Sequence, residues 1–218
     1  MIFSSLFFVF VFLPVVLAVY FLVPRKFKNL CLFLFSLLFY AWGEPVYVFL
    51  MLFTTGFDYI MGHFIEKYRN TPYSRPLLIF SICVNLGLLG FFKYSGLLVQ
   101  TVNSLSGLAL AVPEVALPIG ISFYTFESLS YNIDIYRGEA PAQRNIIDFG
   151  TYIAFFPHLV AGPIVRYEYL ADQLQNRQET LEKFTAGGKR FLVGLFKKIL
   201  LANNLAILAD KVQYMGNP

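Results

Sequence analysis

The chain has 218 residues, of which 57% are hydrophobic, 18% aromatic and only 14% charged, whereas about 25% of residues are charged in an ordinary soluble domain. A soluble fold of this length needs a polar exterior that this composition does not supply, so the expected solvent is a lipid bilayer. We assign the net charge of +4 to loops that orient the membrane spans and contact anionic headgroups. Nucleic acid is therefore not an expected partner.

The first apolar run covers residues 2–23 and contains no charged side chain. As a helix it is about 33 Å long and matches a hydrocarbon core of about 30 Å, so it predicts one full membrane span. Three basic residues follow it directly, namely Arg25, Lys26 and Lys28. The positive-inside rule therefore places this end in the cytoplasm and the N-terminus outside.

Gly43, Glu44 and Pro45 interrupt the next apolar run and predict two helices joined by a tight outer turn. The first, over residues 30–42, reaches only about 20 Å and must be short or tilted. The second returns to residue 64 and leads into a basic loop, which is expected in the cytoplasm. Residues 77–92 predict a further span, and residues 95–118 predict an interfacial or irregular segment.

The run from residue 118 to residue 136 is apolar enough to insert, yet it contains two carboxylates. At about 100° per residue, its polar side chains and one glycine share a narrow helical stripe: Gly120, Tyr124, Glu127, Tyr131 and Asp134. A central Asp costs about 2.5 to 3.5 kcal/mol on insertion scales, so the stripe is not expected to face lipid. Either it has an internal partner, with Arg137 or a stripe tyrosine as candidates, or it lines a polar passage.

The apolar run over residues 149–165 is broken by Pro157 and by Gly162-Pro163, with His158 between the breaks. Non-helical backbone at membrane depth is tolerated only where protein or a water-filled cavity satisfies its polar groups. A re-entrant or discontinuous helix beside an internal cavity is therefore predicted. His158 could act as a general base, because imidazole titrates near neutrality; alternatively it bonds to backbone freed at the proline break.

The tail changes character, since residues 166–190 are densely charged and Gly187-Gly188 separates them from an apolar run over residues 191–208. Lys197 and Lys198 stand at the centre of that run and would be costly at the bilayer midplane, so a helix lying in the interface is favoured over a span.

With no repeat or linker in the chain, we predict a single membrane domain over residues 1–218. Its expected fold is an all-α, polytopic helical bundle with re-entrant and interfacial helices.

The motifs of common soluble enzymes are absent: the sequence contains no GxxxxGK[ST], HExxH, GxSxG or paired CxxC. His63 and Glu66 share a helical face, but Lys67 and Arg69 beside them favour a solvated ion pair, so no metal site and no bound cofactor is assigned.

Asp58 is expected near a helix end within reach of water, and it receives no role.

Several longer segments carry a family resemblance. LPIGISFYTFESLSYNIDIYRG at residues 117–138 and FFPHLVAGPIVRY at residues 155–167 resemble the core signature of bacterial membrane-bound O-acyltransferases, in particular the branch that O-acetylates alginate. FYAW at residues 39–42, GFFKYSG at residues 90–96 and RNIIDFGTYIAFFPHL at residues 144–159 are similar to that branch as well. The resemblance therefore covers nearly the whole chain.

The resemblance implies a multi-pass enzyme of the bacterial inner membrane. Such an enzyme takes an acetyl group from a cytoplasmic thioester donor, such as acetyl-CoA, and moves it across the bilayer to O-acetylate an extracytoplasmic polysaccharide such as alginate. It also implies a periplasmic or extracellular acetyltransferase partner. The acyl passage is expected to run through the bundle, lined by Tyr124, Glu127, Tyr131, Asp134, Pro157 and Arg166.

One family motif is missing from the sequence. Members of the family carry their principal catalytic histidine in a Trp-His-Gly context, which does not occur in these 218 residues. The resemblance therefore implies the N-terminal part of a longer acyltransferase, in which His158 of the FPHL motif has a supporting catalytic role. Alone, this chain is expected to transfer no acetyl group. The alternative is a non-enzymatic transport or scaffold subunit whose polar stripe conducts a solute or docks a partner helix.

Overall fold

The computed structural model describes residues 4–107, 111–113, 115–159, 162 and 165–215. Every regular element in these residues is helical, which confirms the all-α fold class. Contacts divide the chain into two units, Val19–Gln175 on the one hand and Met1–Ala18 with Asn176–Pro218 on the other. The single membrane domain expected over residues 1–218 stays a prediction.

The helices are named here in chain order. They are α1 (Leu13–Leu22), preceded by a π-helical turn over Phe8–Phe12, then α2 (Lys28–Gly43), α3 (Tyr47–Lys67), α4 (Ser74–Ser106), α5 (Ile121–Arg137), α6 (Ile146–Ala154), α7 (Phe156–Leu159), α8 (Tyr167–Asn176), α9 (Leu181–Phe196), a π-helical segment over Lys197–Ala202, and α10 (Asn203–Met215).

Three helices in the described part of the chain are long and apolar enough to cross a membrane, namely α3, α4 and the continuous helix over Leu181–Ala209. They support a multi-pass membrane protein. The helix over Phe8–Leu22 is apolar but shorter, so its complete crossing stays a prediction. Helix α2 has 16 residues, or about 24 Å, and is short as predicted.

The prediction that residues 95–118 form a separate interfacial or irregular segment was wrong for residues 95–106, which belong to α4. Helix α4 is 33 residues long and runs without a break to Ser106. Gly107 ends it with a φ of 69°. No proline interrupts the sequence between Pro76 and Pro113, and polar side chains bond back to carbonyl groups one turn earlier, as Thr101 does with Leu97. Polar composition alone therefore did not mark a helix end.

The prediction that Gly187-Gly188 divides the tail was also wrong, because α9 passes through both glycines. Two adjacent glycines cost about 1 kcal/mol each relative to alanine but do not by themselves end a helix. None of the described residues of α9 is buried. The length and composition of Leu181–Ala209 also fit a membrane crossing, so the interfacial position of this helix stays a prediction.

Helix α5 lies at the centre of the Val19–Gln175 unit, where it packs against α3, α4 and α6, while α6 also packs on α2. A close approach of α3 and α5 depends on Gly62, since a Cβ built there would lie 2.7 Å from Cε1 of Tyr131. Any larger residue at that position would push the two helices apart, because packed interiors leave no room for an added methyl group.

The loop that follows α5 is attached to the C-terminal end of α3. The Tyr59 hydroxyl donates to the Arg144 carbonyl (2.8 Å), the Ala142 amide donates to Glu66 Oε1 (3.1 Å), and Glu66 Oε2 pairs with Arg144 (2.7 Å). The two loops that follow α3 and α5 are therefore on the same side of the bundle. The cytoplasmic position predicted for the basic loop after α3 therefore extends to the loop after α5.

We expect cysteines introduced by Lys26→Cys and Glu139→Cys to be protected from an impermeant maleimide in intact cells and to react after permeabilisation. The two native cysteines are replaced by serine in this background. Val46→Cys at the outer turn is the matched control and is expected to react in intact cells. Labelling of position 26 or 139 from outside would reverse the assigned topology.

Candidate functional site

The polar stripe of α5 lies inside the protein. Tyr124, Glu127, Tyr131 and Asp134 are each no more than 3% exposed, whereas Phe126 on the opposite face is 46% exposed. The prediction that the stripe does not face lipid is confirmed for these four side chains. Their functional roles are a separate question, which depends on the groups that surround them.

Gly120 brings the start of α5 against the end of α7. Its φ is +80°, a left-handed conformation in which any residue with a Cβ is strained. A Cβ built there would also lie 2.8 Å from the carbonyl oxygen of Leu159. The glycine therefore allows the stripe of α5 and the segment that carries His158 to be neighbours.

The predicted discontinuous helix is present as α6 and α7, which are separated at Phe155. The break lies two residues before Pro157, as expected where the proline ring clashes with the preceding helical turn. Two of the backbone groups freed at the break have partners. The Phe156 amide donates to Oγ of Ser36 on α2 (3.2 Å), and the Tyr152 carbonyl accepts from Nε2 of His158 (2.9 Å).

His158 also approaches the stripe, because its Nε2 lies 3.5 Å from Oε2 of Glu127. Both side chains are buried, and Glu127 is only 1% exposed. A carbonyl oxygen can only accept, so Nε2 carries a hydrogen and the lone pair of the neutral ring is on Nδ1. His158 thus has the structural partner that the sequence suggested, and the same ring nitrogen also lies beside a buried carboxylate.

Two buried hydroxyl groups have no hydrogen-bond partner, that of Tyr124 on α5 and that of Tyr40 on α2. Glu127 Oε2 likewise has no hydrogen bond. Each such atom costs about 1 to 3 kcal/mol, so native proteins keep one for a reason. Sequence reasoning missed Tyr40, whose one signal was its position within the FYAW segment.

The C-terminal half of the stripe has a different environment. Tyr131 accepts a hydrogen bond from the Gln143 amide (3.0 Å), and its ring packs on Phe149 with centroids 4.5 Å apart. The Tyr131 ring also packs edge-on against the ring of Tyr167, with centroids 4.9 Å apart. Burial raises the pKa of Tyr167 to about 12, and the Asp148 carboxylate has a smaller effect in the same direction. Tyr131 therefore holds the loop after α5 in place.

The remaining predicted residues lie further out. Arg166 is exposed and acts electrostatically on Asp134, whose Oδ2 is buried without a hydrogen bond. Pro157 is exposed, so it shapes the helix break without occupying the buried position expected of a lining residue. Arg137 is not the internal partner of Glu127, because its side chain is exposed at the end of α5, 3.9 Å from Glu139.

A second buried polar cluster joins α3, α4 and α5 around Asp58, which is 0% exposed. Asp58 Oδ1 accepts from Nδ2 of Asn85 (2.8 Å), from Nδ2 of Asn132 (2.8 Å) and from Oγ of Ser81 (3.2 Å). The expectation that water reaches Asp58 was wrong. The missed signal was the spacing of four between Ser81 and Asn85, which places two polar residues on one face of an apolar helix.

His63 and Glu66 do not meet as the helical spacing suggested. His63 Nδ1 lies 2.9 Å from the Tyr59 carbonyl oxygen, and Glu66 pairs with Arg144 from the loop after α5. Glu66 therefore forms the expected ion pair, but its partner is Arg144 instead of Lys67 or Arg69. In the described part of the chain, no three His, Cys, Asp or Glu residues are grouped to hold a metal ion.

Comparisons with known proteins identify relatives of the chain. A family model described as MBOAT, membrane-bound O-acyltransferase family, matches residues 120–215. "Probable alginate O-acetylase AlgI" of Pseudomonas syringae pv. tomato is 44% identical over 100% of this chain and 43% of the relative. The protein of the same name from Pseudomonas aeruginosa is 43% identical over the same shares. "Peptidoglycan O-acetyltransferase" of Helicobacter pylori is 30% identical over 96% of this chain and 46% of the relative.

The chain spans less than half the length of these curated relatives. No solved structure matches it. The region matched by the family model contains the α5 stripe, the α6–α7 break and His158.

Proposed function

Because this chain belongs to the membrane-bound O-acyltransferase family, we propose that it forms the N-terminal part of an enzyme that O-acetylates an extracytoplasmic polysaccharide. The names of its relatives support this proposal, since they refer to O-acetylation of alginate and of peptidoglycan. Alginate is the proposed acceptor, because the relatives named for it share the higher identity with this chain.

The proposed donor is a cytoplasmic acyl thioester such as acetyl-CoA, and no bound cofactor is required. In the overall exchange, a polymer hydroxyl forms an ester with the acetyl carbonyl carbon. The C–S bond breaks, and the hydroxyl proton leaves with the thiolate as a thiol. The protein has to accept that proton and return it, which is the task of a general base.

The observation that carries the proposal is the contact between His158 and Glu127, buried beside a helix break. The lone pair on Nδ1 lets His158 accept a proton, and Glu127 stabilises the resulting imidazolium because their atoms lie 3.5 Å apart. The unpartnered hydroxyls of Tyr40 and Tyr124 supply donors for an acyl carbonyl or a water molecule. We assign His158 a supporting role and place Tyr124 and Glu127 in the acyl passage.

Asp134 and Arg166 form the proposed cytoplasmic part of that passage, together with the face of Tyr131. The carboxylate of Asp134 is buried, and the exposed Arg166 guanidinium offsets its charge. An exposed arginine near the mouth would attract an anionic donor. The location proposed is the bacterial inner membrane with the N-terminus outside, and a periplasmic or extracellular acetyltransferase is the proposed partner.

The test is expression of the complete gene that contains this sequence in an alginate-producing host that lacks its own O-acetylase. We expect ester-linked acetate on the polymer, measured after alkaline release, and none when the 218-residue chain is expressed alone at equal abundance. Acetylation by the 218 residues alone, abolished by His158→Ala, would place the principal chemistry in this chain. No acetylation from the complete gene would favour the transport or scaffold subunit.

A further inference from the structure

A polar pocket with a cavity of about 400 Å³ opens where α3 passes into α4, outside the site described above. Its wall includes Arg69, Thr71, Arg75 and Tyr136, together with Ser74 in the first turn of α4. No carboxylate is among the residues that line it. In the described part of the chain, neither arginine is ion-paired with Asp or Glu.

Ser74 contributes an unused polar group to the wall of this pocket. The residue is only 4% exposed, yet its hydroxyl has no hydrogen-bond partner. It lies at the start of a 33-residue helix, and the dipole of that helix favours an anion near this end. Two guanidinium groups, a helix N-terminus and an unused hydroxyl together fit a phosphate group.

An apolar crevice with a cavity of about 420 Å³ is formed by neighbouring residues of the same loop and helix. Its wall is almost entirely carbon, contributed by Tyr68, Tyr73, Pro76, Leu77 and Phe80. The rings of Tyr68 and Tyr73 stand edge to face, 6.2 Å apart. Tyrosine in this position is typical of the level where lipid headgroups meet the hydrocarbon core.

We propose that this pocket and crevice bind one anionic phospholipid of the cytoplasmic leaflet. Its phosphate contacts Arg69, Arg75 and Ser74, and one acyl chain lies in the crevice beside Phe80. A free phosphate or a nucleotide would use the polar pocket alone, whereas an amphiphile uses both cavities. The predicted cytoplasmic position of the loop also exposes it to the leaflet that carries anionic lipids.

The experiment uses the complete protein in mild detergent and measures retained lipid by native mass spectrometry. We expect phosphatidylglycerol to be retained at least about tenfold more than phosphatidylcholine. The double variant Arg69→Gln/Arg75→Gln is expected to lose about tenfold or more of the bound phosphatidylglycerol, and Ser74→Ala about threefold or more. The charge-matched control is Lys26→Gln/Lys189→Gln, which removes two exposed positive charges elsewhere and is expected to retain the lipid.

Two results would overturn the proposal. One is an equal loss in the control, which would mean that net charge and not this pocket holds the lipid. The other is displacement of phosphatidylglycerol by inorganic phosphate or coenzyme A, with the same variants losing affinity for coenzyme A, which would assign the pocket to a soluble phosphate ligand. The thermal midpoint of each variant shows that it is folded, and because no acetylation is measured, the result does not depend on the proposed enzyme activity.

Discussion

Replacement of Glu127 by glutamine in the complete protein is expected to lower polymer acetylation by about 10- to 100-fold while leaving protein abundance nearly unchanged. Glutamine keeps the size of the side chain and its hydrogen-bonding capacity but removes the charge that lies 3.5 Å from Nε2 of His158. The imidazolium form of His158 then loses its stabilising partner. Ester-linked acetate on the polymer, normalised to membrane protein level, is the measurement.

Controls separate this role from a structural one. Glu139→Gln removes an exposed carboxylate close to the end of the same helix and is expected to leave acetylation unchanged. Glu127→Leu removes hydrogen bonding as well and is expected to reduce abundance. If Glu127 serves only to pair with a buried His158, Glu127→Gln should itself cost about 3 to 5 kcal/mol of stability. A well-expressed and fully active Glu127→Gln variant would remove Glu127 from the site.

Replacement of Asp58 by leucine is expected to destabilise the protein by roughly 3 to 5 kcal/mol. Three buried donors on two other helices, those of Asn85, Asn132 and Ser81, would lose their shared acceptor. Each donor left unsatisfied costs about 1 to 3 kcal/mol, and partial rearrangement offsets part of the sum. The measurements are the amount of folded protein in the membrane and the thermal midpoint in mild detergent.

The matched control is Asp58→Asn, which we expect to retain near-native abundance. Its Oδ1 can accept the same hydrogen bonds, and its Nδ2 can donate to the Asn132 Oδ1 atom, which has no hydrogen-bond partner in the wild-type protein. Damage from Asp58→Asn equal to that from Asp58→Leu would mean that the cluster requires a negative charge. A leucine variant of native stability would show that the cluster does not hold α3, α4 and α5 together.

Local patterns predicted the parts of the site that a single segment contains. The period of 3.6 residues in α5 placed four polar residues on one face, and their low exposure confirms that this face is turned away from lipid. Pro157 predicted the helix break, because a proline ring excludes the helical backbone before it. Both inferences depend on neighbours in sequence, for which geometry is nearly independent of the rest of the fold.

Pairings between distant segments could not be predicted in this way. Asn132 reaches Asp58 across 74 positions, and Phe156 reaches Ser36 across 120. In the sequence, an isolated carboxylate within an apolar run gives the same pattern whether it is solvated by water or, as Asp58 is, by two asparagine side chains. The partner is decided by which helix faces pack together, and that choice minimises buried unpaired groups over the whole bundle.

By itself, the sequence determined that this is an all-helical, multi-pass membrane protein, because only helices satisfy every backbone group within one apolar segment. It also determined the buried stripe of α5 and the discontinuity before His158. The tertiary structure alone decided that His158 meets Glu127 and that Asp58 unites three helices. These contacts arise where segments far apart in sequence share one low-dielectric interior, in which each polar group must find its partner among the others.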